Sequence, residues 1–215
     1  PPGFRVLINF FAGKRRNMTM GFPVDFTKLE LTAAVHRHNA EIEPIPHEIV
    51  EDGPIFENIQ TGKDVDVLGL PAPLWHEADG GRYLGTGSYD ITIDPDTGWM
   101  NLGTYRVMVH DKTSVGYYIS PGKHGRVHRD KYQDKGEPMP TCVVIGGDPM
   151  TFLTACTEVP VGVCEFDYVG AMREVVVVDY QPQALEGNAL YPGQDGCKQH
   201  RPDWDEKHQA FCYRK

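Results

Sequence analysis

Apolar and polar residues alternate through the middle of the chain, with the two-residue period of half-buried β-strands. We predict strands over residues 83–93 and 99–110, joined into a β-hairpin by the Asp-Pro-Asp-Thr-Gly turn at residues 94–98. A third strand is predicted over residues 115–119, and a short apolar run predicts a buried strand over residues 141–145. The middle of the chain is therefore expected to be built mainly from strands.

Helical periodicity occurs on both sides of this region. Residues 26–39 carry apolar positions at helical spacing, with Asp25 or Thr27 as the N-cap. A short, heavily charged helix is predicted over residues 126–133. Another is predicted over residues 149–157, because a proline stands at its first position.

The remaining segments give weaker patterns. An apolar run rich in strand-forming residues predicts a strand over residues 4–11. Residues 164–180 are expected to form a strand, a short turn or helix, and a final strand at residues 174–178. The polar residues 181–215 are expected to be a poorly packed tail. Short strands between turns are predicted over residues 41–45, 55–58 and 65–68.

Composition narrows the classes of function. The 215 residues carry a net charge of −9 and contain no long basic run, which argues against nucleic acid as a partner. No segment approaches the ~20 apolar residues that span a bilayer, and we find no signal-peptide pattern. The five cysteines are an odd number and form no dense framework, so we expect reduced thiols in a cytoplasmic protein.

Three polar residues offer a mixed set of metal ligands. Asn101, His124 and Glu165 supply an amide oxygen, an imidazole nitrogen and a carboxylate, which suits Mn²⁺ or Mg²⁺ better than zinc. Arg106 could bind a carboxylate or phosphate, or it could lie on the polar face of a half-exposed strand. Strict alternation places Asn101 and Arg106 on opposite faces, so a bulge at Gly103 would be needed to bring them together.

The C-terminal region holds a second candidate metal site. Its cysteines and histidines give the pattern C-x₂-H-x₇-H-x₃-C, whose ligand types suit zinc but whose spacing matches no common zinc finger. A structural zinc site and an ordinary polar tail therefore remain open. The four residues are Cys197, His200, His208 and Cys212.

The order of several motifs resembles one known family. The set W-x-N-x₄-R, K-H-x-R, I-G-G-D-P and G-V-x-E-x₂-Y-x-G-A is similar to the cofactor-binding core of the UbiD family of reversible decarboxylases. The resemblance covers about residues 5–175. It implies removal or addition of CO₂ on aromatic, heteroaromatic or α,β-unsaturated acids. It also implies prenylated FMN (prFMN) as the cofactor, which acts as an electron sink.

The resemblance assigns roles to individual residues. It makes Asn101, His124 and Glu165 ligands of a divalent cation, usually Mn²⁺, that joins the flavin phosphate to the protein. It makes Arg106 a catalytic residue that positions the substrate carboxylate. Backbone carbonyls of residues 154–157 would hold K⁺. The residues implied to line the cofactor site are Trp99, Asn101, Gly103, Thr104, Tyr105, Arg106, Lys123, His124, Ala155, Cys156 and Glu165.

The resemblance also implies an α+β fold. Residues 1–80 would be part of an N-terminal α/β domain, and residues 81–180 the core of a split β-barrel related to flavin reductases. Residues 181–215 would be a divergent tail. Partners implied are an aromatic or unsaturated carboxylic acid, a flavin prenyltransferase that supplies the cofactor, and further copies of the chain in a full-length homo-oligomer.

One family motif is missing. The acidic E-G-P-F-G-E/D motif, which supplies the proton donor and the carboxylate that pairs with the arginine, is not found after Glu165. Without a positioned acid, protonation of the decarboxylated product has no evident catalyst. Two hypotheses follow: an incomplete prFMN-dependent carboxy-lyase, or a non-catalytic flavin- and metal-binding subunit or inactive fragment that requires a partner chain.

Overall fold

The computed structural model describes residues 3–49, 53–85, 87–172, 189–190 and 210–212. Most of the predicted tail and the final strand predicted at residues 174–178 lie outside these described residues. Of the candidate zinc ligands, Cys197, His200 and His208 also lie outside them, and only the backbone of Cys212 is described. Within the described residues, no helix has the length and apolar character that crossing a membrane requires.

The described residues form three antiparallel sheets. Their strands are β1 Ile59–Thr61, β2 Arg82–Gly85, β3 Tyr89–Ile93, β4 Met100–Gly103, β5 Arg106–Val109, β6 Val115–Tyr118, β7 Met139–Val144, β8 Ala189–Leu190 and β9 Ala210–Cys212. One sheet has the order β2-β5-β6, another the order β4-β3-β7-β8, and β1 pairs with β9. These described strands do not close into a barrel.

The predicted hairpin is present as β3 and β4. Asp94 holds its turn: its N–H donates to the Trp99 carbonyl at 2.8 Å, and its carbonyl accepts from the Gly98 N–H at 2.9 Å. Gly98 has a φ of 72°, a conformation that glycine adopts without strain. The Asp94 carboxylate also accepts from Lys131 Nζ at 2.6 Å, which fastens the turn to a neighbouring helix.

The prediction of two long strands is wrong, because each is divided between two sheets. Residues 83–93 contain the end of β2 and all of β3, and residues 99–110 contain β4 and β5. The chain leaves the β4-β3-β7 sheet after Gly103 and enters the β2-β5-β6 sheet at Arg106. At the crossing the Tyr105 N–H donates to the buried Asp90 carboxylate at 2.9 Å.

The described residues contain five α-helices. The second begins at a capping box, in which the Thr27 hydroxyl accepts from the Glu30 N–H and the Glu30 carboxylate accepts from the Thr27 N–H. The fourth has Pro149 at its start and Asp148 as the N-cap, as an ordinary strand–turn–helix junction requires. The helices are α1 Lys14–Thr19, α2 Lys28–Ala40, α3 His124–Asp134, α4 Pro149–Ala155 and α5 Glu165–Met172.

Several predicted strands are wrong. Residues 4–8 form no strand, and Val6, Leu7 and Ile8 are each at least 60% exposed. The segment that starts at residue 164 forms α5 rather than a strand. Its buried residues follow helical spacing: Glu165, Phe166, Val169 and Gly170. Residues 41–45, 55–58 and 65–68 also contain no strand.

Two apolar clusters form the core of the part of the chain that the structure describes. One lies on the β2-β5-β6 sheet and includes Val107, Tyr117 and Ile119, against which Val65 and Val67 pack from the preceding segment. The other joins Ile91 and Leu102 of the β3–β4 hairpin to the helices α4 and α5 through residues such as Ala155 and Phe166. The second cluster places α5 directly against β4.

Candidate functional site

A row of buried polar side chains follows one face of β3 and continues into its turn. Asp90, Thr92 and Asp94 occupy every second position along the chain, so their side chains share a face. Asp90 and Thr92 are fully buried, and Asp94 is nearly so. Asn101 lies opposite Thr92 in the β3–β4 ladder. This face therefore concentrates polar groups where an ordinary sheet would bury apolar ones.

Asn101 is held by a buried hydrogen-bonded chain. Its Nδ2 donates to Thr92 Oγ1 at 3.4 Å, and the same hydroxyl lies 3.0 Å from Nδ1 of the fully buried His128. Burial lowers the pKa of His128 to about 4, although the nearby Asp94 carboxylate opposes the shift. His128 is therefore neutral at pH 7. These hydrogen bonds fix the amide nitrogen of Asn101 against Thr92 and so orient the Asn101 side chain.

Glu165 brings a carboxylate to the same strand. It is the first residue of α5, is 2% exposed, and its Oε2 accepts from the Leu102 N–H at 2.7 Å. Burial raises the pKa of Glu165 to about 7, against the opposing effect of N–H donors from Leu102 and from Glu165 itself. A carboxyl group in this position requires either a proton or a compensating cation.

Trp99 joins His124 to the segment that precedes α5. The half-buried His124 begins α3, and its ring lies 4.9 Å from the Trp99 ring, centroid to centroid. Trp99 Nε1 donates to the Val163 carbonyl at 3.0 Å, two residues before Glu165. Together with the Leu102 N–H contact, this arrangement brings the starts of α3 and α5 close to the segment of residues 99–102, which contains Asn101.

Tyr105 packs between β4 and α3. Its hydroxyl forms hydrogen bonds with the Asn101 side chain and the Gly125 backbone. A Cβ at Gly103 would overlap the Tyr105 ring, and one at Gly125 would lie 2.7 Å from its hydroxyl oxygen. Both glycines are therefore needed for this close approach, and both belong to the sequence motifs around the site. Burial raises the pKa of Tyr105, so the phenol stays protonated at pH 7.

Two predicted site residues lie at the margin. Arg106 is exposed at the start of β5, in a different sheet from Asn101. Lys123 is the exposed N-cap residue of α3. The bulge that would bring Asn101 and Arg106 to one face is not present at Gly103: β4 ends there, and Thr104 and Tyr105 connect the two sheets.

The end of α4 lies beside this connection. Cys156 is exposed, and its thiol forms a hydrogen bond with the Thr104 side chain. Partial desolvation of the thiol raises its pKa, and the hydrogen bond opposes that shift. Ala155, the last residue of α4, is buried. Thr154 Oγ1 is also buried, and it has no hydrogen-bond partner among the residues that the structure describes. The Thr154 carbonyl accepts from the N–H and hydroxyl of Thr157.

Sequence reasoning missed Thr92 and His128. The signal for Thr92 was the alternation Asp-Ile-Thr-Ile-Asp at residues 90–94, which puts the polar members on one face. The signal for His128 was its position four residues after His124, one helical turn away on the same face of α3. Neither signal reveals that the face would be buried.

Comparison with known proteins identifies the family. The UbiD family model, described as 3-octaprenyl-4-hydroxybenzoate carboxy-lyase Rift-related domain, matches residues 48–186. Pyrrole-2-carboxylic acid decarboxylase of Pseudomonas aeruginosa is 32% identical over 176 residues, covering 81% of this chain and 35% of that enzyme. The chain thus spans about a third of the length of the curated relatives it matches.

Solved structures show the same similarity. Vanillic acid decarboxylase of Sedimentibacter hydroxybenzoicus, in closed form, matches with a TM-score of 0.70 and 27% identity over 78% of this chain and 36% of that chain. An evolved dimeric form of the UbiD-class enzyme HmfF from Pelotomaculum thermopropionicum, in complex with prFMN, matches with a TM-score of 0.63 and 28% identity over 76% of this chain and 38% of that chain. The mixed α/β fold is that of UbiD-class structures, and the chain belongs to the UbiD family.

Proposed function

We propose that this chain binds prFMN through a divalent cation and serves as the cofactor-binding part of a carboxy-lyase. The reaction is the reversible, non-oxidative decarboxylation of an aromatic or α,β-unsaturated carboxylic acid. The names of the relatives support this class, since they include decarboxylases of pyrrole-2-carboxylic, phenolic and ferulic acids. The prFMN complex of HmfF supports the choice of cofactor.

The buried Glu165 carboxylate carries the proposal. Its Oε2 is fixed by the Leu102 N–H, beside Asn101, and its burial disfavours the ionised form unless a positive charge is near. His124 approaches the same strand through its contact with Trp99. An amide oxygen, an imidazole nitrogen and a carboxylate are a hard ligand set that fits Mn²⁺ or Mg²⁺. The residues present therefore fit the cation that the family implies.

The start of α3 is suited to the cofactor phosphate. The positive end of the helix dipole favours an anion there, although the Gly125 N–H is already bonded to the Tyr105 hydroxyl and the Arg126 N–H to the Lys123 carbonyl. The exposed Lys123 adds a positive charge immediately before the helix. When bound, prFMN supplies the electron sink for loss of CO₂. Asn101, His124 and Glu165 hold its cation, and the packed Gly103–Tyr105 connection forms the adjoining wall.

Arg106 binds the substrate in this proposal. It begins β5 two residues after Thr104, and its exposed guanidinium can form a bidentate pair with a carboxylate. Such a pair orients the substrate carboxylate without chemistry of its own. At the end of α4, the carbonyls of Ala155 and Cys156 lie where helix carbonyls lack intrahelical partners, which suits the proposed K⁺.

The finer architecture is also a proposal. We take the β2-β5-β6 and β4-β3-β7 sheets, joined by the short β4–β5 connection, as the two parts of a split β-barrel within residues 81–180. Residues 1–80 and 181–215 are the partial α/β domain and the tail. In the cell, a flavin prenyltransferase would supply the cofactor in the cytoplasm, and the full-length protein would assemble as a homo-oligomer.

Reconstitution with prFMN and Mn²⁺ tests the proposal. We expect the wild-type chain to retain flavin after gel filtration, and Asn101→Ala and Glu165→Gln to lose it. The matched control is Glu158→Gln, which changes an exposed glutamate between α4 and α5 and should retain flavin. A wild-type chain that is folded by circular dichroism and still binds no flavin contradicts the proposal.

Measurement of CO₂ release separates the two functional hypotheses. If the loaded chain is a carboxy-lyase by itself, it releases CO₂ from a member of a panel of aromatic and α,β-unsaturated acids, and Arg106→Ala retains flavin but loses release. Flavin binding without any CO₂ release would favour the non-catalytic binding subunit.

A further inference from the structure

A second group of metal-ligating side chains lies on another side of α5. His47, Cys164 and Asp167 each offer one ligand atom, and these three atoms all lie within 4.8 Å of one another. His47 and Asp167 are partly exposed, while Cys164 is buried. None of the three belongs to the proposed cofactor site. His47 lies in the segment of residues 41–49, whereas Cys164 and Asp167 lie at the start of α5, so the group joins these two parts of the chain.

Backbone contacts hold this segment against α5. The Ile45 N–H donates to the Asp167 carbonyl at 3.0 Å, and the His47 N–H donates to Asp167 Oδ1 at 2.9 Å. A Cβ at Gly170 would lie 3.0 Å from the Ile45 carbonyl oxygen, so glycine permits the close approach. These contacts place the His47 ring beside the Asp167 carboxylate, with Nδ1 2.6 Å from Oδ1. The cluster is therefore positioned by the backbone as well as by its own side chains.

Cys164 is oriented by the helix that follows it. Its thiol receives hydrogen bonds from the backbone of Phe166 and Asp167, in the first turn of α5. N–H donors and the positive end of a helix dipole stabilise a thiolate. Burial opposes this and raises the pKa of the Cys164 thiol to about 12, so a bound cation has to displace the thiol proton. This cost lowers the affinity of the site without changing its ligand set.

The ligand types select the cation. Thiolate, imidazole and carboxylate are the three side-chain ligands of zinc, whereas Mn²⁺ and Mg²⁺ prefer sites without sulfur. A tetrahedral zinc ion keeps its ligand atoms about 3–4 Å apart, given bond lengths of about 2.0–2.3 Å. To hold zinc, His47 Nδ1 and Asp167 Oδ1, which lie 2.6 Å apart, therefore have to separate slightly, and the distances to the Cys164 sulfur, which are at most 4.8 Å, have to shorten. An ion pair alone would use His47 and Asp167 and would leave no role for the sulfur beside them.

We propose that His47, Cys164 and Asp167 bind one Zn²⁺, with water as the fourth ligand, and so clamp residues 41–49 to α5. The site is separate from the cation that Asn101, His124 and Glu165 would hold. Its occupancy would fix the start of α5, where Glu165 is the neighbour of Cys164. Zinc would thus stabilise the scaffold of the cofactor site without contacting the cofactor.

Cobalt substitution tests the proposal on the whole chain. The metal-free protein is titrated with Co²⁺, whose bond to a thiolate gives a charge-transfer absorbance, and then with Zn²⁺, which displaces it. We expect one equivalent of thiolate-bound Co²⁺ per chain. The signal should disappear in Cys164→Ser and fall strongly in His47→Gln, whose side chain is partly exposed and whose loss should leave the fold intact by circular dichroism.

Three controls separate the site from others. Cys142→Ser removes a cysteine from β7, Cys197→Ser removes a candidate ligand of the C-terminal region, and Asn101→Ala removes a ligand of the cofactor cation. All three should retain the signal. No signal in the wild type, a signal that persists in Cys164→Ser, or a signal lost in Cys197→Ser would each overturn the proposal.

Discussion

Burial of the Glu165 carboxyl group predicts an unusual pH dependence of stability. Its pKa rises from 4.5 to about 7 on folding, a shift that corresponds to about 3 kcal/mol. Between pH 4.5 and about pH 7, the Glu165 carboxyl group is therefore ionised in the unfolded chain and protonated in the native state. The free energy of unfolding therefore falls as pH rises, by at most about 1.4 kcal/mol per pH unit from this group. Glu165→Gln removes the titration, so its stability should depend less on pH over the same range.

Urea denaturation between pH 5 and pH 8, in the absence of divalent cations, measures the effect. We expect the wild type to lose up to about 3 kcal/mol relative to Glu165→Gln across this range. The exposed Glu158→Gln should follow the wild type. Saturating Mn²⁺ should restore stability at pH 8 in the wild type, by about 2.7 kcal/mol at a hundredfold excess over Kd, and should not do so in Glu165→Gln. Parallel pH profiles of wild type and Glu165→Gln would refute the reasoning.

Two further predictions concern residues that support the site, and a third concerns a helix cap outside it. Thr92→Val removes the hydroxyl that accepts a hydrogen bond from Asn101. It should lower the free energy of unfolding in urea by about 1–3 kcal/mol and weaken Mn²⁺ binding measured by calorimetry. Thr92→Ser keeps the hydroxyl and should preserve both the stability and the Mn²⁺ affinity. Gly103→Ala places a methyl group against the Tyr105 ring and should lower stability by about 1–3 kcal/mol; an unchanged melting temperature would count against the packing described. Thr27→Ala removes the cap of α2 and should cost about 1 kcal/mol while flavin retention stays unchanged.

Local chemistry made some elements predictable. The helix at α2 followed from its spacing and its Thr27 cap, and the hairpin followed from the turn at residues 94–98. Both are set by contacts between residues close in sequence. The strand predicted over residues 4–11 lacked such support. Its apolar residues favour a strand only if a neighbouring strand pairs with them, and the described residues provide none.

The division of strands between sheets could not be predicted from periodicity. Apolar and polar residues alternate over residues 99–110 as they would in one strand. The crossing from one sheet to the other is marked in the structure by the Tyr105 N–H, which donates to the buried Asp90 carboxylate. The chemistry of the side chains suggests the three candidate ligands and the motif similarity assigns their role, whereas their separations along the chain are too large for spacing to relate them. Their placement beside β4 depends on Trp99 and Leu102, whose contacts come from distant parts of the chain.

The two-residue connection between β4 and β5 has an evolutionary consequence. Asn101 belongs to one sheet and Arg106 to the other, and only Thr104 and Tyr105 lie between the strands that carry them. Because side chains alternate along a strand, a single insertion or deletion beyond Arg106 could re-register β5 without disturbing β4. If Asn101 holds the cofactor cation and Arg106 the substrate, as proposed, cofactor retention and substrate choice would then vary independently under selection, and relatives could acquire new substrates while keeping the same flavin site.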